Sequence, residues 1–139
     1  MLFGHEDKVA AFSKLITEGS LGHAYLFFGD AEIGKASFAR GLAEYFEHNT
    51  WEVSQSPLID ALFLASHDGE VLGIDALREV KKFLWQSPFT SPRRLAVIDD
   101  AEMLTPEAQS AMLKIVEEPP PHALIIFITH DPEALFPPL

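Results

Sequence analysis

The sequence predicts an α/β layer fold: a mainly parallel sheet with helices on both faces, in three layers. Three observations carry that expectation. Four short apolar runs, 24–28, 60–64, 95–98 and 124–128, alternate with segments of helical periodicity, which is how a parallel sheet covered by helices is built. A glycine-rich stretch follows the first run directly. Polar chemistry also stands where three of the four runs end, at the edge where such sheets take their ligands.

Taken in order, residues 6–18 place Val9, Phe12 and Ile16 at helical spacing, with Gly19 just beyond as a left-handed stop. Ala24 to Phe28 is apolar at successive positions, as a strand covered on both faces requires. A helical stripe of Phe38, Leu42 and Tyr45/Phe46 then runs from near Lys35 to about His48, and the polar stretch Asn49 to Pro57 reads as a connection. Asp60 to Leu64 is the second strand, and Ser66 to Glu70 a turn. Ile74, Leu77, Val80 and Leu84 mark a helix that Ser87-Pro88 ends, and Leu95 to Ile98 is the third strand. Thr105 followed by Pro106 predicts an N-cap and first turn, with Ala108, Met112 and Ile115 as the buried stripe behind it. Glu117-Glu118 and three prolines stop that helix. Leu124 to Ile128 is the fourth strand, with Thr129 at its end.

The stretch between the first strand and the helix behind it is Gly29-Asp30-Ala31-Glu32-Ile33-Gly34-Lys35-Ala36-Ser37. It fits G-x-x-x-x-G-K, in which two glycines let the backbone curl so that successive N–H groups point into one concavity. The lysine and the following helix N-terminus add positive charge for a triphosphate. The next position of the motif wants a hydroxyl for Mg²⁺, and Ala36 stands there. A methyl group ligates no metal, so nucleotide binding and hydrolysis separate at this point. Ser37 is one step further along the helix and therefore turned away by about a quarter turn or slightly more.

After the third strand comes Asp99-Asp100-Ala101-Glu102, the form of a segment that lifts an aspartate beside the phosphates to orient Mg²⁺. Asp99 takes that metal-side role, and Asp100 stands where a water-activating glutamate is usual, one methylene shorter. A misplacement near an ångström costs on the order of 10² in rate.

The chain has 139 residues, 47% of them hydrophobic and 11% aromatic, enough for one packed core and incompatible with disorder. Without cysteine there is neither a disulfide framework nor a cysteine zinc module. The histidines, His5, His23, His48, His67, His122 and His130, lack the spacing of a helical metal site, so no metal ligand is assigned among them. No basic, apolar leader opens the chain and no run approaches a membrane span, which gives the expectation of a cytoplasmic protein without membrane contact. The net charge is −11, and Lys114 is the only Lys or Arg in 101–139, a surface that repels phosphate backbones at long range. Arg93, Arg94, Lys81 and Lys82 form the one basic excess, open to two readings: a weak contact with DNA or a neighbouring subunit, or a solvated face.

Several stretches together resemble a known family. Gly22-His23-Ala24-Tyr25-Leu26-Phe27, Gly73-Ile74-Asp75-Ala76-Leu77-Arg78-Glu79, and the run from Met103 through Leu113-Lys114-Ile115-Val116-Glu117-Glu118-Pro119-Pro120 are similar to the AAA+ module of bacterial clamp loaders. The resemblance covers the chain in order. It implies a P-loop NTPase core that binds ATP with Mg²⁺, Thr129 as a sensor of the γ-phosphate, and a place in the DNA polymerase III hetero-pentamer that loads the sliding clamp onto primed DNA. Ala36, Asp100 and the lack of cysteine point to the non-motor, delta-prime-like branch. There the nucleotide site is degenerate, ATP and Mg²⁺ bind weakly or not at all, zinc is absent, and the chain is no independent ATPase. A motor-like, ATP-hydrolysing subunit is the alternative. A threonine closing a strand also has an ordinary explanation in β-propensity. The family continues past Leu139 into an arginine-finger element, an edge strand, a lid and a collar, so the chain is expected to be the isolated core, with residues 23–28 as an apolar sheet edge.

Overall fold

The computed structural model describes residues 22–28, 35–51, 58–66 and 69–129. The helix expected over 6–18, the loop Gly29 to Gly34, part of the turn at Ser66 to Glu70 and the segment past Thr129 lie outside the described residues. The order is β1 (Ala24–Phe28), α1 (Lys35–His48), β2 (Ala61–Leu64), α2 (Ile74–Leu84), β3 (Arg94–Ile98), one 3₁₀ turn (Ala101–Met103), α3 (Pro106–Glu117) and β4 (Ala123–Thr129). All strand pairs are parallel, in the order β1-β4-β3-β2.

Burial follows that order. Every residue of β3 and β4 is buried, whereas β2, at one edge, is half-buried throughout. Successive side chains alternate between the two faces. Ala96, Ile98, Ile125 and Phe127 meet Leu77, Val80 and Leu84 of α2 and Ala108, Met112 and Ile115 of α3. Leu95, Val97, Leu124 and Ile126 meet Phe38, Leu42 and Phe46 of α1. The sheet is thus covered on both faces by the stripes that periodicity marks. Thr105 caps α3 as its sequence predicts: Oγ1 accepts from the Ala108 N–H at 3.1 Å, with Pro106 in the first turn. Beyond the strand ends, Leu72 and Leu104 form a short parallel bridge, the Leu72 N–H donating to Met103 O at 2.8 Å and the Thr105 N–H to Leu72 O at 2.9 Å. No described helix is long and apolar enough to cross a membrane.

The amino ends of the strands correct one expectation. Arg93 and Arg94 are not a freely solvated basic face, because the fold buries Arg94 and half-buries Arg93 in contacts of its own. Arg94 is only 7% exposed. It pairs with Asp60 at 3.2 Å, donates to Ile59 O at 3.0 Å and to Gln86 Oε1 at 2.8 Å, and lies 4.2 Å over the Phe83 ring. Asp60 is not a strand residue but a hub, accepting from the N–H groups of Phe89, Thr90 and Ser91 at 2.8, 2.7 and 2.8 Å. Burial pushes the Asp60 carboxyl up, but those three N–H groups and the Arg94 guanidinium outweigh it and hold the group below its usual range. Arg93 donates to Gly22 O and Ala123 O at 3.0 and 3.2 Å, tying the start of β1 to the start of β4. Burial pulls Arg93 down from its ordinary value, and Tyr25 partly offsets this. Lys81 and Lys82 stay exposed on α2.

Candidate nucleotide site

A parallel sheet gathers all its carboxyl ends at one edge, so residues far apart in sequence become neighbours there. Phe28, the last residue of β1, lies in register beside Thr129, the last of β4. Seven residues later α1 begins at Lys35, with Ala36 in its first turn and Ser37 exposed. The loop motif is therefore bracketed by the strand and helix its chemistry needs, while Gly29, Asp30, Ala31, Glu32, Ile33 and Gly34 lie outside the described residues.

On the next strand but one, Ile98 lies opposite Phe127, so Asp99 leaves the sheet level with the last residues of β4. The Asp99 N–H still donates to Leu64 O at 2.8 Å, which extends the β2 pairing by one residue. Its Oδ1 accepts from the Asp100 N–H at 2.9 Å. Asp100 itself is left-handed, with φ 53 and ψ 44, a conformation that aspartate tolerates better than most residues. The chain therefore turns sharply out of the strand at Asp100 and enters the 3₁₀ turn.

That turn presents a residue to which the sequence assigns no role. Glu102 Oε1 accepts a hydrogen bond from the Thr129 hydroxyl at 2.7 Å, and Thr129 is 1% exposed. Asp99, Asp100, Glu102 and Thr129 are thus brought to one edge with the ends of the loop. Glu102 sits three residues after Asp99, but nothing in a local pattern says that it meets a threonine 27 positions on.

An Mg²⁺ ion bound with nucleotide usually takes one or two carboxylates, and phosphates and water complete its shell. The described residues suit that arrangement: Asp99 stands at the edge, and a carboxylate that already accepts one N–H keeps lone pairs for more. Among the described residues, no three His, Asp or Glu side chains converge as a self-sufficient metal cage.

Comparison with known proteins then assigns the family. The sequence model described as "DNA polymerase III, delta subunit" matches residues 4–138. The chain belongs to that family. DNA polymerase III subunit gamma/tau of Mycobacterium tuberculosis H37Rv is 36% identical over 96% of the chain and 25% of its own length. The chain accordingly spans about a quarter of the length of that relative. Among solved structures, a DNA polymerase III gamma subunit-related protein of Thermotoga maritima superposes with TM-score 0.67 at 32% identity, covering 91% of this chain and 41% of its own. Hsp104, solved with ATPγS and casein, superposes at TM-score 0.55 and 13% identity over 93% of this chain and 26% of its own, a likeness of fold alone. The expectation of an α/β, P-loop-type AAA+ core holds for this member of the DNA polymerase III delta family. The match to gamma/tau and to a delta model together does not single out the delta-prime branch.

Proposed function

We propose that this delta-family chain is the nucleotide-binding core of a clamp-loader subunit. It acts in the cytoplasm in DNA replication, inside a DNA polymerase III hetero-pentamer that loads the sliding clamp onto primed DNA. Its nucleotide site is degenerate, in the manner of the delta-prime branch. The observation that carries this is the pairing of defects at one sheet edge. Ala36 opens α1 where a metal-binding hydroxyl belongs, and the left-handed Asp100, one methylene short, follows Asp99. Both departures weaken the same metal-dependent step, while the strand and the helix that flank the glycine loop are kept. Partners reach clamp and DNA for the complex, and the catalytic arginine comes from a neighbour.

The second reading, a gamma-like motor that hydrolyses ATP, draws on the 36% identity to gamma/tau. Calorimetric binding of ATP with Mg²⁺ and with EDTA separates the two. The degenerate site binds weakly and indifferently to Mg²⁺, and Ala36→Thr then introduces Mg²⁺ dependence of about tenfold, the worth of one good charged contact. An unmodified chain that binds ATP at least tenfold more tightly with Mg²⁺ than with EDTA overturns the degenerate reading in favour of the ATPase.

A further inference from the structure

Helices α2 and α3 lie side by side on one face of the sheet. Each returns from the carboxyl end of one parallel strand to the amino end of the next, so the two run in the same direction. Between their outer surfaces is a groove of about 470 Å³. Leu77, Ala111 and Ile115 line its apolar floor, and Trp85, 56% exposed, stands where α2 ends.

Two lysines give the groove its charge. Lys81 and Lys114 lie in the last turns of α2 and α3, line the same groove, and form no ion pair among the described residues. Arg78 also reaches the groove but is paired with Asp75 at 3.0 Å. A cation in the last turn suits the helix dipole whichever way its side chain points. The dipole therefore accounts for where these lysines stand along their helices, and not for both of them lining one groove. In a chain of net charge −11, this is where unpaired positive charge from two elements meets over apolar side chains.

The acids of the lining narrow the partner. Glu107 opens α3 and Glu118 caps its end, so a carboxylate stands on either side of Lys114 along the groove. A nucleic-acid strand following the groove would carry its phosphates past both. A helix with its carboxylates gathered near the middle meets the lysines and not the glutamates. Helices also pack into grooves between helices, with apolar anchors at i, i+3/i+4 and i+7. The 11 residues of α2 give roughly 16 Å, or about three turns, for such a contact.

We infer that the α2–α3 groove is a docking site for a helix of a partner protein, amphipathic and acidic at its centre. Its apolar side chains rest on Leu77, Ala111 and Ile115, and its carboxylates fix register and direction against Lys81 and Lys114. The inference does not depend on the nucleotide reading.

The test follows Trp85 emission in the 139-residue chain carrying Trp51→Phe, which leaves Trp85 as the single tryptophan. That substitution loses no hydrogen bond, because Trp51 Nε1 has no partner, and it keeps a ring beside Phe38 and Tyr45. The probes are a blocked peptide of about four helical turns with leucines at the anchor spacing and glutamates at its centre, the same peptide with glutamine for glutamate, and oligothymidylate. The acidic peptide should bind saturably, and Lys81→Glu, Lys114→Glu and the glutamine exchange should each weaken it by about tenfold. Lys81→Gln and Lys114→Gln, gentler on the fold, should show part of that loss. Lys82→Glu makes the same change of charge on α2 outside the groove, and should alter affinity by no more than about twofold. No saturable binding up to millimolar peptide refutes the docking site. Equal affinity for the acidic and glutamine peptides, or an equal loss in Lys82→Glu, refutes recognition of an acidic helix. Oligothymidylate that displaces the peptide with the same dependence on Lys81 and Lys114 assigns the groove to nucleic acid and overturns the inference.

Discussion

The two edges of this sheet are built from the same kinds of residue and do opposite things with them. At the amino edge, Asp60, Arg93 and Arg94 are buried or half-buried and tied to peptide groups and to one another. Their charges serve the fold. At the carboxyl edge, Asp99, Asp100 and Glu102 follow the end of β3 together. One acid is in a left-handed conformation and another holds the last side chain of β4. Ionisable groups locked into a buried network serve the fold, whereas acids gathered at the carboxyl ends of parallel strands stand where such sheets take their ligands. The arrangement therefore separates structure from chemistry along the strand direction.

Breaking the amino edge gives the largest expected effect. Asp60→Ala leaves the Arg94 guanidinium buried beside three orphaned N–H groups, and the loss of one partner of a buried pair costs about 3–5 kcal/mol. Urea unfolding should show that loss. A cost below about 1 kcal/mol would mean that water replaces the carboxylate, and that the two edges differ less than the contacts imply.

Acid should attack the same edge. The folded Asp60 carboxyl lies below its ordinary value. Its contribution is therefore complete above the unfolded carboxylate value, about pH 4, and is lost as pH falls through the lower folded value. Stability against pH in the unmodified chain should drop in that acid window, and Asp60→Asn should flatten the drop. An unchanged slope in the variant would place the acid sensitivity elsewhere.

The smallest effect belongs to the carboxyl edge, and its smallness sharpens the comparison. Asp99→Asn keeps an oxygen for the Asp100 N–H, so unfolding free energy should change by no more than about 0.5 kcal/mol, as for substitutions that break no buried network. A stability loss of more than about 2 kcal/mol would show that Asp99 is structural and would weaken its assignment to metal.

Much of the fold was legible without any tertiary information. The stripes Leu77, Val80, Leu84 and Ala108, Met112, Ile115 are buried as their spacing required. The Thr105 cap forms because its signal is complete within four residues. The sequence extends the second strand to Asp60, one residue before its start at Ala61, because an acid before an apolar run looks like strand punctuation. Only the return of the chain at Phe89 to Ser91 brings the N–H groups that make it a hub. The two arginines were open to a surface reading for a similar reason, since nothing within a few residues of them reveals Asp60, Gln86 or Gly22 as partners.

What the sequence determined by itself is therefore what repeats or closes over a few residues: the alternation of strands and helices, the buried faces, the cap, the glycine loop's flanks and the aspartate after β3. Periodicity and turn chemistry are local, and a local signal survives without knowledge of the fold. The tertiary structure alone decided the strand order β1-β4-β3-β2, the burial of Arg94 and half-burial of Arg93, and the meeting of Glu102 with Thr129. Each of these depends on which strand lies beside which and in what register, and register is set by the packing of both faces at once.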